Sequence, residues 1–290
     1  MNTSRADRVL VLGATGMLGN AVLRYFARRQ QYDVHGCARS RLPVGQLSAE
    51  LRDRLTTGVD LENSDQLARV LDDVRPQYVI NCVGVVKQLA AAEDPLSAIP
   101  LNALLPHRIA RLCAIAGSRL VHMSTDCVFS GRKGMYREED PSDAEDLYGR
   151  SKYLGELACP HTVTLRTSMI GHELQSAHGL LCWFLRQQSG VRGYRKAVFS
   201  GLTTVELARV MHDFVLPNAS LSGVYHVAGE PIDKYKLLKQ IARIYGKSIE
   251  ITADDAVVVD RSLDASRFRA ATGYVPPAWP ELIRQMLEFG

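Results

Sequence analysis

Tyr148 and Lys152 stand four residues apart in the segment YGRSK, the spacing that puts two side chains on one face of a helix. A phenol titrates at about 10 in water, and an adjacent ammonium favours the phenolate, so the pair is expected to bring the tyrosine toward neutrality as a usable acid or base. MSTDCVF at 123–129 adds hydroxyls beside it. Thr125, or its neighbour Ser124, is placed to hydrogen-bond a substrate oxygen, with Asp126 bordering the same space. A second group of residues suits phosphate. GATGMLG at 13–19 sets Gly13, Gly16 and Gly19 in one turn, with Thr15, Met17 and Leu18 between them. The glycines permit a tight turn, backbone approach to a pyrophosphate, and close packing of helix on strand.

These residues need a scaffold, and the apolar pattern supplies one. RVLVLG (8–13) reads as a strand, Met17 to Arg29 as a helix and YDVHGCA (32–38) as the next strand, which makes a βαβ unit. The alternation continues through LTTGVD (55–60), a helix near 64–74, QYVINCVG (77–84), a helix near 98–116, SRLVHMS (118–124) and HTVTLRTSMIG (161–171). Strands this uniformly apolar are covered on both faces. The fold class is therefore α/β, a doubly wound parallel Rossmann sheet with a smaller interleaved C-terminal lobe for substrate.

Beyond 171 the rhythm loosens into a helix near 175–188, a basic turn VRGYRK (191–196) and a helix near 204–214. GVYHVAGE (223–230) follows as a strand, with amphipathic helices over 234–246 and 276–289. Residues 1–171 and about 197–229 are assigned to the dinucleotide domain, and about 172–196 and 230–290 to the lobe.

The end of the second strand bears on cofactor choice. An acid there holds a ribose 2′-hydroxyl, whereas an arginine accepts a 2′-phosphate. The segment is CARSR, so Arg39, with Ser40 and Arg41, favours NADP(H), with NAD(H) as the second option; the alternative is a set of solvated loop charges. Asp60, followed by Leu61, ends the third strand, either accepting from an adenine amine or capping a helix.

Composition excludes other classes. The net charge of +4 is spread along the chain rather than gathered in a stripe, so no nucleic-acid partner is expected. The N-terminal apolar run is too short for a signal peptide, and no window approaches the ~18 apolar residues of a membrane span. Six cysteines without a CxxC pair, mostly in apolar segments, read as reduced thiols and point to the cytoplasm. His172, Glu173 and His178 miss the i, i+4 spacing of helical zinc ligands, so no metal is expected. A homodimer is the default assembly.

GATGMLG, NCVG at 81–84, STDCVF and YGRSKYLGE at 148–156 resemble the extended short-chain dehydrogenases. Within them the chain looks most like the dTDP-4-dehydrorhamnose reductase group, a likeness that extends through LRTSMIG (165–171) and DRSLDASRF (260–268). The resemblance implies reduction of a keto group, at C4 of a nucleotide-activated 6-deoxy-hexose. By it Tyr148 delivers a proton to the carbonyl oxygen, Lys152 holds the nicotinamide ribose and lowers the tyrosine pKa, and Thr125 orients the carbonyl. It also implies that Cys82, Val83 and Gly84 approach the cofactor, that Arg166 and Thr167 lie on the nicotinamide side, and that Arg261 reaches the substrate diphosphate.

The chain departs from the group after the fourth strand, where it has NCVGVVKQLAAAED. Val85, Val86 and Lys87 are expected to line the sugar site, Lys87 either adding a positive charge there or standing solvated. Trp183 is either core or a stacking platform for a sugar or base. Cys127 replaces the carboxylic acid that related dehydratases carry, which argues against elimination. An epimerase uses the same triad and stays open, as does an NADP-binding regulatory subunit without turnover, although regulatory copies often lose the triad that is present here.

Overall fold

The first strand buries alternate residues on opposite faces of a sheet, with Val9 and Val11 in one apolar layer and Leu10 and Leu12 in the other, as a strand covered on both sides must. In the computed structural model, which describes residues 6–29, 31–40, 45–85 and 87–290, this strand is β1 (Asp7–Leu12). It is joined by β2 (Tyr32–Ala38), β3 (Leu55–Thr57), β4 (Tyr78–Asn81), β5 (Arg119–Thr125), β6 (Thr162–Thr167) and β7 (Gly223–His226). The order is β7-β6-β5-β4-β1-β2-β3, with every neighbouring pair parallel. The expected doubly wound Rossmann sheet is therefore present. Its strand order reverses between β1 and β4, where such sheets open a crevice at the carboxyl ends.

Helices α1 (Met17–Ala27), α2 (Ser64–Val74) and α3 (Leu105–Ala116) lie in the β1–β2, β3–β4 and β4–β5 connections, a short helix at Ala49–Asp53 lies between β2 and β3, and α4 (Leu147–Leu154) precedes β6. Helix α2 starts where Asn63 accepts the amides of Asp65 and Gln66, satisfying two donors that have no intrahelical partner. The helix expected over 98–116 begins earlier, at Pro95 behind an Asp94 cap, and passes through a π-helical turn at Ile99–Leu104 before α3.

Other expected bounds also shift. The third strand ends at Thr57, and the segment after β6 breaks into a separate short strand, Met169–Ile170, paired with Leu202–Thr203. The helix expected over 175–188 shortens to α5 (Leu180–Arg186). There the Glu173 carboxylate accepts the Ser176 hydroxyl and the Gly179 amide, which holds the residues before Leu180 in a loop. The basic turn at 191–196 contains a strand, Val191–Tyr194, paired with Ile251–Asp254. Ala197–Phe199 pairs with Ile232–Asp233 and Val259–Asp260. Helices α6 (Thr204–Val210), α7 (Lys234–Ile244), α8 (Ser266–Thr272) and α9 (Trp279–Phe289) complete the fold. Among the described residues no helix is long and apolar enough to cross a membrane.

Candidate active site

The crevice between β1 and β4 is floored by the glycine turn. The amides of Gly13 and Ala14 both donate to the Cys37 carbonyl, and that of Gly16 to the Gly13 carbonyl, each at 3.0 Å. Helix α1 then starts at Met17 with neither a side-chain cap nor an acidic residue in its first turn. Its free amides and positive dipole end suit a phosphate group. A Cβ on Gly19 would lie 2.1 Å from the Gly13 carbonyl oxygen, so only glycine lets the helix close on the turn. This cradle fits a dinucleotide. Thr15, Gly16 and Met17 are open to solvent in part or fully, whereas Leu18 is core.

The adenosine-side candidates fare unevenly. Arg39 is exposed at the end of β2 and Ser40 is partly buried; Arg41, like Val86, lies outside the described residues. Asp60 uses its carboxylate locally, accepting the Glu62 amide at 3.0 Å, which is the capping alternative. Leu61 packs its side chain into the core layer beneath the loop.

On the opposite wall α4 carries the tyrosine and lysine. Asp146 caps it by accepting the Gly149 amide at 2.7 Å and takes the Lys87 ammonium at 2.9 Å. The Lys87 nitrogen lies 5.6 Å from the centre of the Tyr148 ring. Lys152 is buried and donates to the Met123 carbonyl at 2.6 Å. Its nitrogen would stand 3.7 Å from a Cβ built on Gly84, so the end of β4 and the lysine meet.

The net effect on the phenol runs opposite to the expected one. Burial pushes the Tyr148 phenol up, reinforced by Cys127, Asp126 and Asp146, and a hydrogen bond with Thr125 pulls the other way. Burial instead lowers Lys152 itself, to about 8, against the pull of Glu156 and Cys82.

Asn102, in the π-helical turn, is a residue that the sequence reading missed. It is fully buried, accepts the Val85 amide at 3.0 Å and donates to the Ser151 hydroxyl at 3.1 Å, and Ser151 bonds the Tyr148 carbonyl at 3.0 Å. The loop after β4 is thus tied to the helix bearing Tyr148. An asparagine within the otherwise apolar IPLNALLP was the available signal. The two elements touch because residue 155 is glycine: a Cβ there would sit 1.9 Å from the Asn102 carbonyl oxygen. Gly155→Ala is expected to cost about 1–3 kcal/mol through overpacking. Denaturant unfolding measures it, and a loss below about 0.5 kcal/mol would show that the helix end relaxes freely.

Ser124 and Arg166 require a second correction. Ser124 donates to Glu156 at 2.6 Å, and Arg166 grips both carboxylate oxygens of Glu156 at 2.7 Å, with both ion-pair side chains buried. The Arg166 guanidinium also lies 5.3 Å from the Phe129 ring. Both residues are committed to this network rather than free for ligand. Thr167 is buried and donates to the Ser168 carbonyl.

Thr125 accepts the Cys127 amide at 3.1 Å and donates to Asp126 at 3.2 Å. The Asp126 carboxyl is pushed up by burial, against Arg261 and Lys234 nearby. Arg261 spends its Nε on the Phe129 carbonyl at 2.8 Å. Cys82 is a partly buried thiol that desolvation pushes up to about 12, and the Val83 amide donates to Asn81 at 3.0 Å. Trp183 is 38% exposed while its neighbour Phe184 is core. His172 bonds the Tyr245 hydroxyl, and no group of three or more metal-ligating side chains occurs among the described residues.

A methionine adenosyltransferase 2 subunit beta of Danio rerio is 31% identical over 250 residues, taking in 81% of this chain and 73% of that protein. A dTDP-4-dehydrorhamnose reductase of Burkholderia thailandensis is 33% identical over 168 residues, 56% of this chain and 50% of its own length, so the match spans half of that relative. The crystal structure of a dTDP-4-dehydrorhamnose reductase from Bacillus anthracis in complex with NADP superposes with a TM-score of 0.81 at 21% identity, covering 100% of both chains. The family model described as the RmlD substrate binding domain matches residues 7–289. With nearly the whole sequence matched and the glycine turn, strand-end hydroxyl and tyrosine–lysine helix assembled on one crevice, the chain belongs to that family, the dTDP-4-dehydrorhamnose reductase-like group of extended short-chain dehydrogenases.

Proposed function

We propose that this protein is an NADPH-dependent reductase of the keto group, at C4, of a nucleotide-activated 6-deoxy-hexose. The observation that carries the reading is the meeting of Thr125, Tyr148 and Lys152 at the carboxyl edge of the sheet, beside a glycine turn fitted to a dinucleotide. A bound nicotinamide supplies the hydride. Tyr148, kept protonated by its buried setting, delivers a proton to the carbonyl oxygen, and Thr125 orients that oxygen. Lys152 stands where β4 ends, placed to hold the cofactor ribose. Arg39, with Ser40, would take the 2′-phosphate, which is the basis for preferring NADPH. The segments 172–196 and 230–290, with Ala197–Phe199 drawn in by its strand pairing, would form the lobe over the substrate, where Val85, Lys87, Asp126, Trp183 and Arg261 are candidate contacts. Consumption of NADPH with dTDP-4-dehydro-6-deoxyhexoses, faster than with NADH, is the expected result. Absence of turnover across dTDP-, UDP- and GDP-linked keto-sugars would remove the reading.

A second reading is favoured by the Danio rerio relative: a cofactor-binding subunit of a methionine adenosyltransferase. Stoichiometric co-purification with such an enzyme from the native host, together with no keto-sugar turnover, would put it first.

A further inference from the structure

Asn20, Arg24 and Arg28 follow one another at intervals of four along α1 and its C-cap, which aligns them on one face. Leu18, Val22 and Phe26 take another face into the core. A cavity of about 550 Å³ lies over the polar face, walled by residues 46–51 of the β2–β3 connection and by residues 172–174. A space of that size suits a small metabolite. No residue of the glycine turn lines it, and neither does Arg39 or Ser40, so it is separate from the dinucleotide cradle.

Three donor groups reach this cavity short of acceptors. The Asn20 side-chain nitrogen has no hydrogen-bond partner, although the residue is only 5% exposed. The guanidinium carbons of Arg24 and Arg28 lie 4.5 and 4.9 Å from the centre of the Phe289 ring, and neither arginine has an ion pair among the described residues. Arg24 spends one Nη on the Phe289 carbonyl at 2.5 Å. The wall carboxylates are engaged elsewhere: Glu173 accepts the Ser176 hydroxyl and the Gly179 amide, and Glu50 lies 3.8 Å from the Arg54 Nε. Gly290 also lines the space, against His172. A buried amide donor without an acceptor is costly, and two guanidiniums over one ring repel. One dianion set between them answers both, whereas a monocarboxylate balances only one of the two charges.

We propose that this cavity is a second ligand site, for a small phosphate monoester whose dianion is held by the Arg28 guanidinium, the remaining Arg24 nitrogens and the Asn20 side-chain amide. The inference does not depend on the keto-sugar reading. Calorimetric titration of glucose 6-phosphate and ribose 5-phosphate into the full chain tests it, with acetate as the monoanionic comparison. Each titration is made with and without saturating NADPH, on wild type, Arg28→Met and Asn20→Leu. The Kd of the tighter ester is expected to rise about tenfold in each variant, and acetate to bind wild type at least about tenfold more weakly than the ester. Both variants should keep the wild-type Kd for NADPH, and Asn20→Leu should unfold at or above the wild-type temperature, since leucine fills the same space without an unpartnered donor. An ester Kd unchanged in both variants places the phosphate elsewhere and overturns the site. An ester that binds only when NADPH is absent sits in the glycine turn and overturns it equally. So does failure of both esters to bind wild type at about 10 mM, a concentration that would still register a very weak site.

Discussion

Tyr148→Phe is expected to cut keto-sugar reduction by about 10³-fold while leaving the Kd for NADPH within about twofold of wild type. The phenylalanine keeps the ring beneath the Lys87 ammonium and removes only the hydroxyl bonded to Thr125. Retention of most of the activity would show that the proton comes from elsewhere. The same site fixes the pH dependence. The phenol is pushed up, so it stays protonated across the neutral and mildly alkaline range and contributes no limb there. Lys152, lowered to about 8, is charged below that value and neutral above it. Turnover should therefore fall as pH rises through about 8, as the ammonium held at the end of β4 is lost. A profile flat well beyond that point would mean that the lysine charge plays no part.

Glu156→Ala should be the most destabilising change near the site, at about 3–5 kcal/mol. Removal of the carboxylate leaves the Arg166 guanidinium buried without its two-point partner and frees the Ser124 hydroxyl. Since whole domains are stable by only about 5–15 kcal/mol, the variant will be marginal at room temperature. Replacement of the pair together, Glu156→Leu with Arg166→Met, should recover much of the loss, because two apolar side chains leave no buried charge. Urea unfolding of both variants decides this, and a single-variant loss under about 1 kcal/mol would contradict it. Glu156 also raises the Lys152 amine. Where Glu156→Ala still folds, the alkaline limb of activity should move to lower pH.

How much of this the sequence discloses depends on what each pattern encodes. β2 and α2 take the bounds expected of them, Tyr32–Ala38 and Ser64–Val74, because apolar periodicity and an asparagine cap are local properties. The π-helical turn is not: one added residue barely disturbs an apolar stripe, so the segment from 98 onward reads as a plain helix. The glycine turn and the spacing of Tyr148 and Lys152 were legible for the same local reason. The direction of the phenol's pKa was not, since it depends first on how deeply the folded chain buries the ring.

Strand alternation carried information that went unused. Ser124 is in register with Arg166, and Thr125 with Thr167, and successive residues of a strand face opposite ways. Ser124 and Thr125 could not both serve one crevice. The pairing partner, Glu156, lies well beyond β5 in sequence, and only the folded sheet brings it to Ser124 and Arg166 together.

The π-helical turn that bears Asn102 amounts to a single-residue insertion in an otherwise regular helix. Excision of one residue from Ile99–Leu104 would restore ordinary winding and swing the side chains before the cut by about 100° relative to those after it. The asparagine would then leave the Val85 amide and the Ser151 hydroxyl at once. The length of this segment, as much as the identity of any side chain in it, thus sets the distance between the loop after β4 and the tyrosine helix, and insertions or deletions there are a lever on crevice width that point substitutions do not reach.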